Sequence, residues 1–175
     1  MPRQRLVLRW LHESDLSALI DIERRSEPCD QCFHHIANLV FLPHHQVLVA
    51  ELDGQPRGFL AYELNDQGVI LLKLNVHPSY QALRIGRALL RKLKERTRGL
   101  RKSQIITVVD PRVAAGQAFL SRNGFECVVA EETILVYACD LAACPPAVSC
   151  RSRDEEITRR AEWLRAQKQS HQKGV

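Results

Sequence analysis

Apolar and polar residues alternate over Arg5–Trp10, so Leu6, Leu8 and Trp10 share one face at strand spacing. His12-Glu13-Ser14-Asp15 follows, with Ser14 or Asp15 placed as an N-cap. Leu16, Leu19, Ile20 and Glu23 then recur at helical spacing with Ile22 beside them, which predicts a helix over about 15–25. Pro28 breaks the chain. Asp30 is placed to cap a second short helix carrying Phe33, Ile36, Leu39 and Val40, ended by Pro43. Val47–Leu52 and Gly58–Leu64 read as strands joined by Asp53-Gly54-Gln55-Pro56, where Asp-Gly supplies the positive φ of a tight hairpin. After the turn Asn65-Asp66-Gln67-Gly68, the run Val69–Val76 is nearly all apolar, as a central strand requires.

Pro78 ends that strand. Ile85, Leu89, Leu93 and Arg96 fall on one helical face, predicting a helix over about 84–98 that stops near Gly99. Ile105–Val109 is a further β-branched run. A helix over Val113–Asn123 closes at Gly124, where a left-handed C-cap belongs. Phe125–Val129 and Thr133–Leu141 are the last strands. The order β-α-α-β-β-β-α-β-α-β-β describes an α/β domain over residues 1–141, a mixed sheet covered by helices. Cys144-Pro145-Pro146 marks a boundary. Ser152-Arg153-Asp154-Glu155 reads as a capping box opening an amphipathic helix with Ile157, Ala161 and Leu164, so residues 142–175 form a linker and tail.

Composition narrows this picture only slightly. Of 175 residues 45% are apolar and 26% charged, as in an ordinary globular chain, and no apolar run approaches the ~18 residues that span a bilayer. Met1-Pro2-Arg3-Gln4-Arg5 leads straight into a strand-like run with no signal-peptide core, the pattern of a cytoplasmic protein without a membrane role. The net charge of +5 favours anionic partners. Basic residues gather at Arg84–Lys102 and in the tail, where a solvated helix face is the plain explanation. Sparse aromatics argue against a base-stacking nucleic-acid surface. The six cysteines read as reduced thiols, with Cys127 and Cys139 in apolar runs expected in the core.

The chemistry concentrates in Leu71–Leu93. A buried strand runs into a tight turn, and the turn opens a helix. Such a junction points N–H groups and the positive end of a helix dipole at one spot, a natural seat for a pyrophosphate. Gly86 allows close backbone approach. The segment resembles motif A of the GNAT acetyltransferase superfamily, Val-x-Pro-x-Tyr followed by Arg/Gln-x-x-Gly-x-Gly/Ala. Val76, Pro78, Tyr80, Gln81, Gly86, Arg87, Ala88 and Leu89 match in register, whereas Arg84 replaces the first glycine of the pattern. With a negative φ an arginine is tolerated there and its charge favours a phosphate. With a positive φ the turn is strained by ~1–2 kcal/mol. The resemblance covers residues 5–141. Asp15-Leu16, Ile20, Ile22-Glu23, Pro28 and Phe33 are similar to the ribosomal-protein-alanine N-acetyltransferase branch, whose members acetylate protein N-termini.

The resemblance implies a GNAT-like, mostly antiparallel sheet splayed between the fourth and fifth strands, with acetyl-CoA as co-substrate and pantetheine in the cleft. It implies cofactor contacts from Leu74, Asn75, Val76, Gln81, Ala82, Leu83, Arg84, Ile85, Gly86, Arg87 and Ala88, with the Val76 amide polarising the acetyl carbonyl. The acceptor is an amine, a protein N-terminus or lysine first and a small-molecule amine next. The branch's catalytic Glu, Tyr and helix-start Asn fall on Val108, Leu120 and Val113, so those roles do not carry over. Tyr62, Asn75, Glu63, Asp110 and Tyr137 stand near the expected site. Glu63 and Asp110 are candidates for a base acting through water, and Tyr137 for a substrate hydrogen bond. A basic pH optimum would remove the need for a dedicated base. These losses also fit a CoA-binding scaffold module without catalysis. A Cys29-x2-Cys32-x-His34-His35 cluster followed by His44-His45 matches no standard zinc spacing, so no metal site is assigned.

Overall fold

The computed structural model describes residues 5–26, 35–66 and 68–141. The predicted tail helix and residues Cys29–His34 lie outside them. The chain divides into two compact units, Met1–Lys102 and Ser103–Val175.

In the first unit, strands β1 (Leu6–Trp10), β2 (His45–Leu52), β3 (Gln55–Leu64) and β4 (Val69–Val76) follow one another as antiparallel neighbours. The β2–β3 hairpin closes through Asp53 and Gly54, both at positive φ (51° and 79°), between the paired Leu52 and Gln55. That is the two-residue turn expected of Asp-Gly. Helix α1 (Leu16–Ser26) and the short α2 (Ile36–Leu39) cover one face. There Leu19, Ile22, Ile36, Leu39, Val47, Val49, Phe59 and Ala61 form the core. The alternate residues of β2 and β3 point the other way, towards α3 (Ile85–Gly99), whose Ile85, Leu89, Leu90 and Leu93 are buried. In the second unit β5 (Gln104–Val109), β7 (Leu135–Asp140) and β6 (Glu126–Ala130) pair antiparallel in that order, with α4 (Ala114–Arg122) between β5 and β6 in the chain. Gly124 stands after α4 at φ 78°, the left-handed stop anticipated for it. The α/β class and the mostly antiparallel pairing are therefore as expected.

Two local expectations are corrected. Asp15 does not cap α1. It ends a 3-10 turn (Glu13–Asp15) and accepts the His12 N–H at 2.8 Å. Cys127 is exposed on β6, while Cys139 on β7 is buried, because β6 buries little of either face. The tight turn expected between β4 and α3 is a second 3-10 turn, Pro78–Leu83.

Two charged clusters tie the first unit together. Arg9 on β1 reaches Asp15 (2.6 and 2.9 Å) and Glu51 on β2 (2.7 Å). The hydrogen bonds and charge of Arg9 hold the Asp15 carboxyl below the ordinary carboxylate range. Deeper inside, Lys73 on β4 is paired with Glu23 on α1, both buried, and Glu23 also accepts the Ile36 amide at 3.0 Å. One carboxylate thus joins α1, the start of α2 and the central strand. Removing one partner strands the other charge without water, at a cost of ~3–5 kcal/mol. Lys73→Met is expected to lower the unfolding free energy by about that amount in urea denaturation. Asp15 gives a separate pH signature. Because its folded pKa is depressed, its stabilising contribution is complete above the ordinary value of 3.8 and is lost as pH falls through the folded value. Asp15→Asn should flatten the acid side of the stability–pH curve in that window and leave the slope near neutrality unchanged.

Candidate functional site

The end of β4 hands the chain to α3 through two opposed conformations. His77 has an extended backbone and accepts the Ser79 N–H on its Nδ1 at 3.3 Å, with Pro78 first in the 3-10 turn. The turn ends at Arg84, whose φ of 58° and ψ of 19° are left-handed. Arg84 is also the residue from which α3 starts: its carbonyl accepts the Ala88 N–H at 3.0 Å. The amides of Ile85, Gly86 and Arg87, one turn earlier, precede any intrahelical acceptor and face out of the helix end. Their direction is therefore set by the reversal at Arg84. Of the two alternatives open at this position, the structure selects positive φ. Gln81, Ala82 and Leu83 belong to the preceding turn, and Gln81 sends its Nε2 back to the Val76 carbonyl at 3.4 Å.

What seats this junction on the sheet is Gly58 of β3, opposite Val76. A Cβ there would lie 3.0 Å from the Asn75 carbonyl oxygen, 3.0 Å from Ile85 Cγ2 and 3.3 Å from Val76 Cγ2. Only a bare backbone lets the first residue of α3 press onto β3. Glycine inside a strand is the signal that marks such close approach, and it went unread in the sequence. Positive charge surrounds the turn. The Arg57 guanidinium lies 4.6 Å from the centroid of the Tyr80 ring, which meets His77 edge-on at 5.4 Å. Arg84 and Arg87 are exposed. The helix dipole, the first-turn amides and these cations together favour an anion.

The remaining candidates have different surroundings. Leu74 and Val76 are half-buried on β4. Asn75 is buried, and its Nδ2 donates to Ser26 Oγ of α1 at 2.7 Å, so its side chain serves the α1 face. Tyr62 is fully buried. Its hydroxyl donates to Gln46 (2.7 Å) and accepts from Arg96 (3.0 Å), and burial pushes its pKa up. Glu63 sits opposite Ile70, six residues along β4 from Val76, which is about 20 Å of strand. It pairs with His45 at 3.7 Å and is not brought to the turn. In the second unit, the Asp110 carboxylate is held by the Arg112 side chain (2.6 and 3.0 Å) and accepts the Arg112 amide at 2.8 Å. Tyr137 is buried in the middle of β7 between Thr107 and Cys127. Val108 packs against the core of this unit, Leu120 is buried and Val113 is exposed. Among the described residues no group of three or more His, Cys, Asp or Glu side chains is arranged for a metal, and no helix is long and apolar enough to cross a membrane.

Residues 43–127 match the family model of the GNAT acetyltransferase domain. No curated protein matches the sequence. Among solved structures, the ribosomal-protein-S18-alanine N-acetyltransferase of Escherichia coli is similar, with a TM-score of 0.69 at 17% identity over 83% of this chain and 99% of that one. The PaiA N-acetyltransferase of Thermoplasma acidophilum, in complex with coenzyme A, gives 0.66 at 19% identity over 78% and 99%. The yncA protein of Salmonella typhimurium, with its cofactor acetyl-CoA, gives 0.63 at 18% identity over 83% and 99%.

The left-handed arginine has a measurable consequence. Asparagine tolerates that backbone better than other side chains, whereas valine does not. Arg84→Asn should raise the unfolding free energy by up to ~1 kcal/mol, and Arg84→Val should lower it by ~1–2 kcal/mol, both read from urea denaturation midpoints.

Proposed function

We propose that this chain, which carries a match to the GNAT acetyltransferase domain over residues 43–127, is an acyltransferase of that class that moves the acetyl group of acetyl-CoA to a primary amine, the α-amino group of a protein N-terminus or a lysine. The observation that carries the cofactor half is the β4-to-α3 junction. Its first-turn amides at Ile85, Gly86 and Arg87, with the charges of Arg84 and Arg87, suit the CoA pyrophosphate. The backbone of Leu74, Asn75 and Val76 runs up to that junction, and we assign to it the pantetheine and the thioester. Coenzyme A and acetyl-CoA bound to the similar structures from T. acidophilum and S. typhimurium support this reading. The likeness to the E. coli ribosomal-protein-S18-alanine enzyme supports a protein N-terminus as acceptor.

The reaction needs little covalent work from the protein. The neutral amine attacks the thioester carbonyl, a tetrahedral oxyanion forms, and the C–S bond breaks. The amine's proton passes to solvent or a base, and the CoA thiolate takes one up. In this reading the Val76 N–H stabilises the oxyanion, as a donor already fixed in place. Asp110, as a base acting through water, and Tyr137, as a hydrogen-bond partner of the substrate, are the candidates offered by the second unit. Glu63, some 20 Å of strand from Val76, has no part in it.

A second reading, a CoA-binding module without turnover, has one specific observation in its favour. Val108, Val113 and Leu120 occupy the places where the resembling branch keeps its Glu, Asn and Tyr. Titration calorimetry with acetyl-CoA tests the shared premise. Binding is expected, with a loss of at least 100-fold in Gly86→Glu, which sets a carboxylate against the phosphates; unchanged affinity in that variant would move the pyrophosphate elsewhere. A thiol-release assay then separates the readings. Turnover is expected on peptides with a free N-terminal alanine and to be weaker on polyamines. Binding without thiol release on any amine would leave only the module.

A further inference from the structure

The densest run of basic residues outside the tail lies on and just after α3. Residues 84–102 contain nine Arg or Lys and a single acid, Glu95, a local charge of +8 against +5 for the whole sequence, so the rest of the chain is net acidic at −3. Arg96 turns inward to Tyr62 and Gln46, and Lys102 reaches the Asp66 carbonyl, but four of the others line up along α3. Ile85, Leu89, Leu90, Leu93 and Thr97 are buried and define its inner face. Arg87, Arg91, Lys94 and Arg98 recur at intervals of four, three and four residues. At ~100° per residue they fall within about 60° of arc on the outer side, and they extend about 16 Å along the axis. Arg101, left-handed at φ 56° and exposed, stands two residues past the helix end. Arg87 and Arg98 are exposed, and the Arg91 side chain keeps 75% of its accessibility, its pair with Glu95 being long at 3.9 Å.

The cofactor turn does not account for this row. Arg84 and Arg87 stand at the mouth of α3, but Arg98 is three turns away from it. Between Arg87 and Arg98 the outer side of the helix presents no apolar or aromatic side chain, and the half-exposed Leu100 stands past the helix end. A protein partner would need an apolar centre to its interface, and a single-stranded nucleic acid would need rings for its bases to stack on. A duplex backbone needs neither. Its phosphates sit at fixed, regular positions and are held by guanidinium groups presented on a rigid support. We propose that the outer face of α3 from Arg91 to Arg101 binds the phosphate backbone of a nucleic-acid duplex, without reading its sequence.

The test is fluorescence anisotropy of the full chain with end-labelled 20-base-pair duplexes, RNA and DNA of one sequence. Saturating coenzyme A is present so that the α3 mouth is not available to phosphates. Polyglutamate serves as the acidic-polypeptide competitor. The variant is Arg91→Gln/Arg98→Gln/Arg101→Gln, whose exposed side chains leave the core untouched; its melting temperature and coenzyme A affinity are measured alongside and should match the parent. Duplex binding is expected at low salt. The log of the association constant should fall against log salt with a slope of about −3, for three or four phosphates neutralised. The triple variant should bind at least tenfold more weakly, with a shallower slope. A difference between the RNA and DNA arms identifies the duplex preferred. Absence of duplex binding, equal binding by the triple variant, or polyglutamate competing as well as unlabelled duplex would each overturn the proposal. None of these outcomes bears on the acetyl-CoA reading, which the calorimetry tests separately.

Discussion

The left-handed backbone at Arg84 ends one helical segment and begins the next, and the chemistry of the first unit depends on that reversal. Pro78–Leu83 coils as a 3-10 turn capped by His77, which accepts the Ser79 amide on its ring and the Tyr80 amide on its carbonyl. Without a change of sign at residue 84 the coil would run on and α3 would start elsewhere. With it, the chain turns, α3 restarts, and the amides of Ile85, Gly86 and Arg87 emerge together at a dipole end. The family pattern has glycine here, for which this backbone is free of strain. This chain spends ~1–2 kcal/mol to place a cation at the same point. For a site that is to hold a pyrophosphate, a charge beside the phosphates offsets such a cost.

The reversal is useful only because the sheet receives it. Gly58 leaves room for Ile85 to contact β3, and the Arg57 carbonyl accepts the His77 amide at 2.9 Å just before the turn. On the opposite face of the same strands, the Glu23–Lys73 pair and the Ser26–Asn75 hydrogen bond fasten α1 to β4. Polar groups are buried on β4 in pairs and not singly. A paired polar group fixes one register and one helix position, while an unpaired one would cost several kcal/mol. The central strand is thus held in register from both faces, and the backbone of Leu74–Val76 is presented at a defined height.

Charge is organised by the same element. The inner face of α3 closes the core with aliphatic side chains. Its start presents first-turn amides at the positive dipole end, and its outer face carries a row of basic side chains. A helix can do all three because its 3.6-residue period separates the faces and its ends differ electrically.

The sequence by itself determined the elements and their order. Alternation marked the strands, the 3.6 period marked α1 and α3, and Asp53-Gly54 and Gly124 specified their turns, because these signals are local and depend only on backbone sterics. It also marked the strand–turn–helix junction within Leu71–Leu93 from Val76, Pro78, Tyr80 and Gly86. Tertiary structure alone decided the rest. Arg84 is chemically compatible with either sign of φ, and the folded chain adopts the left-handed one, with Ile85 next to it packed at Gly58. Glu63 and Asn75 are both polar residues on adjacent strands. The pairing register puts one about 20 Å of strand from Val76 and commits the other to Ser26. Asp15 looked like a cap and became the anchor of Arg9. Cys127 looked like core and is exposed on a strand that buries little. In each case the side chain's chemistry was legible, but its partner is distant in sequence, and a partner's identity is fixed only when the strands pair.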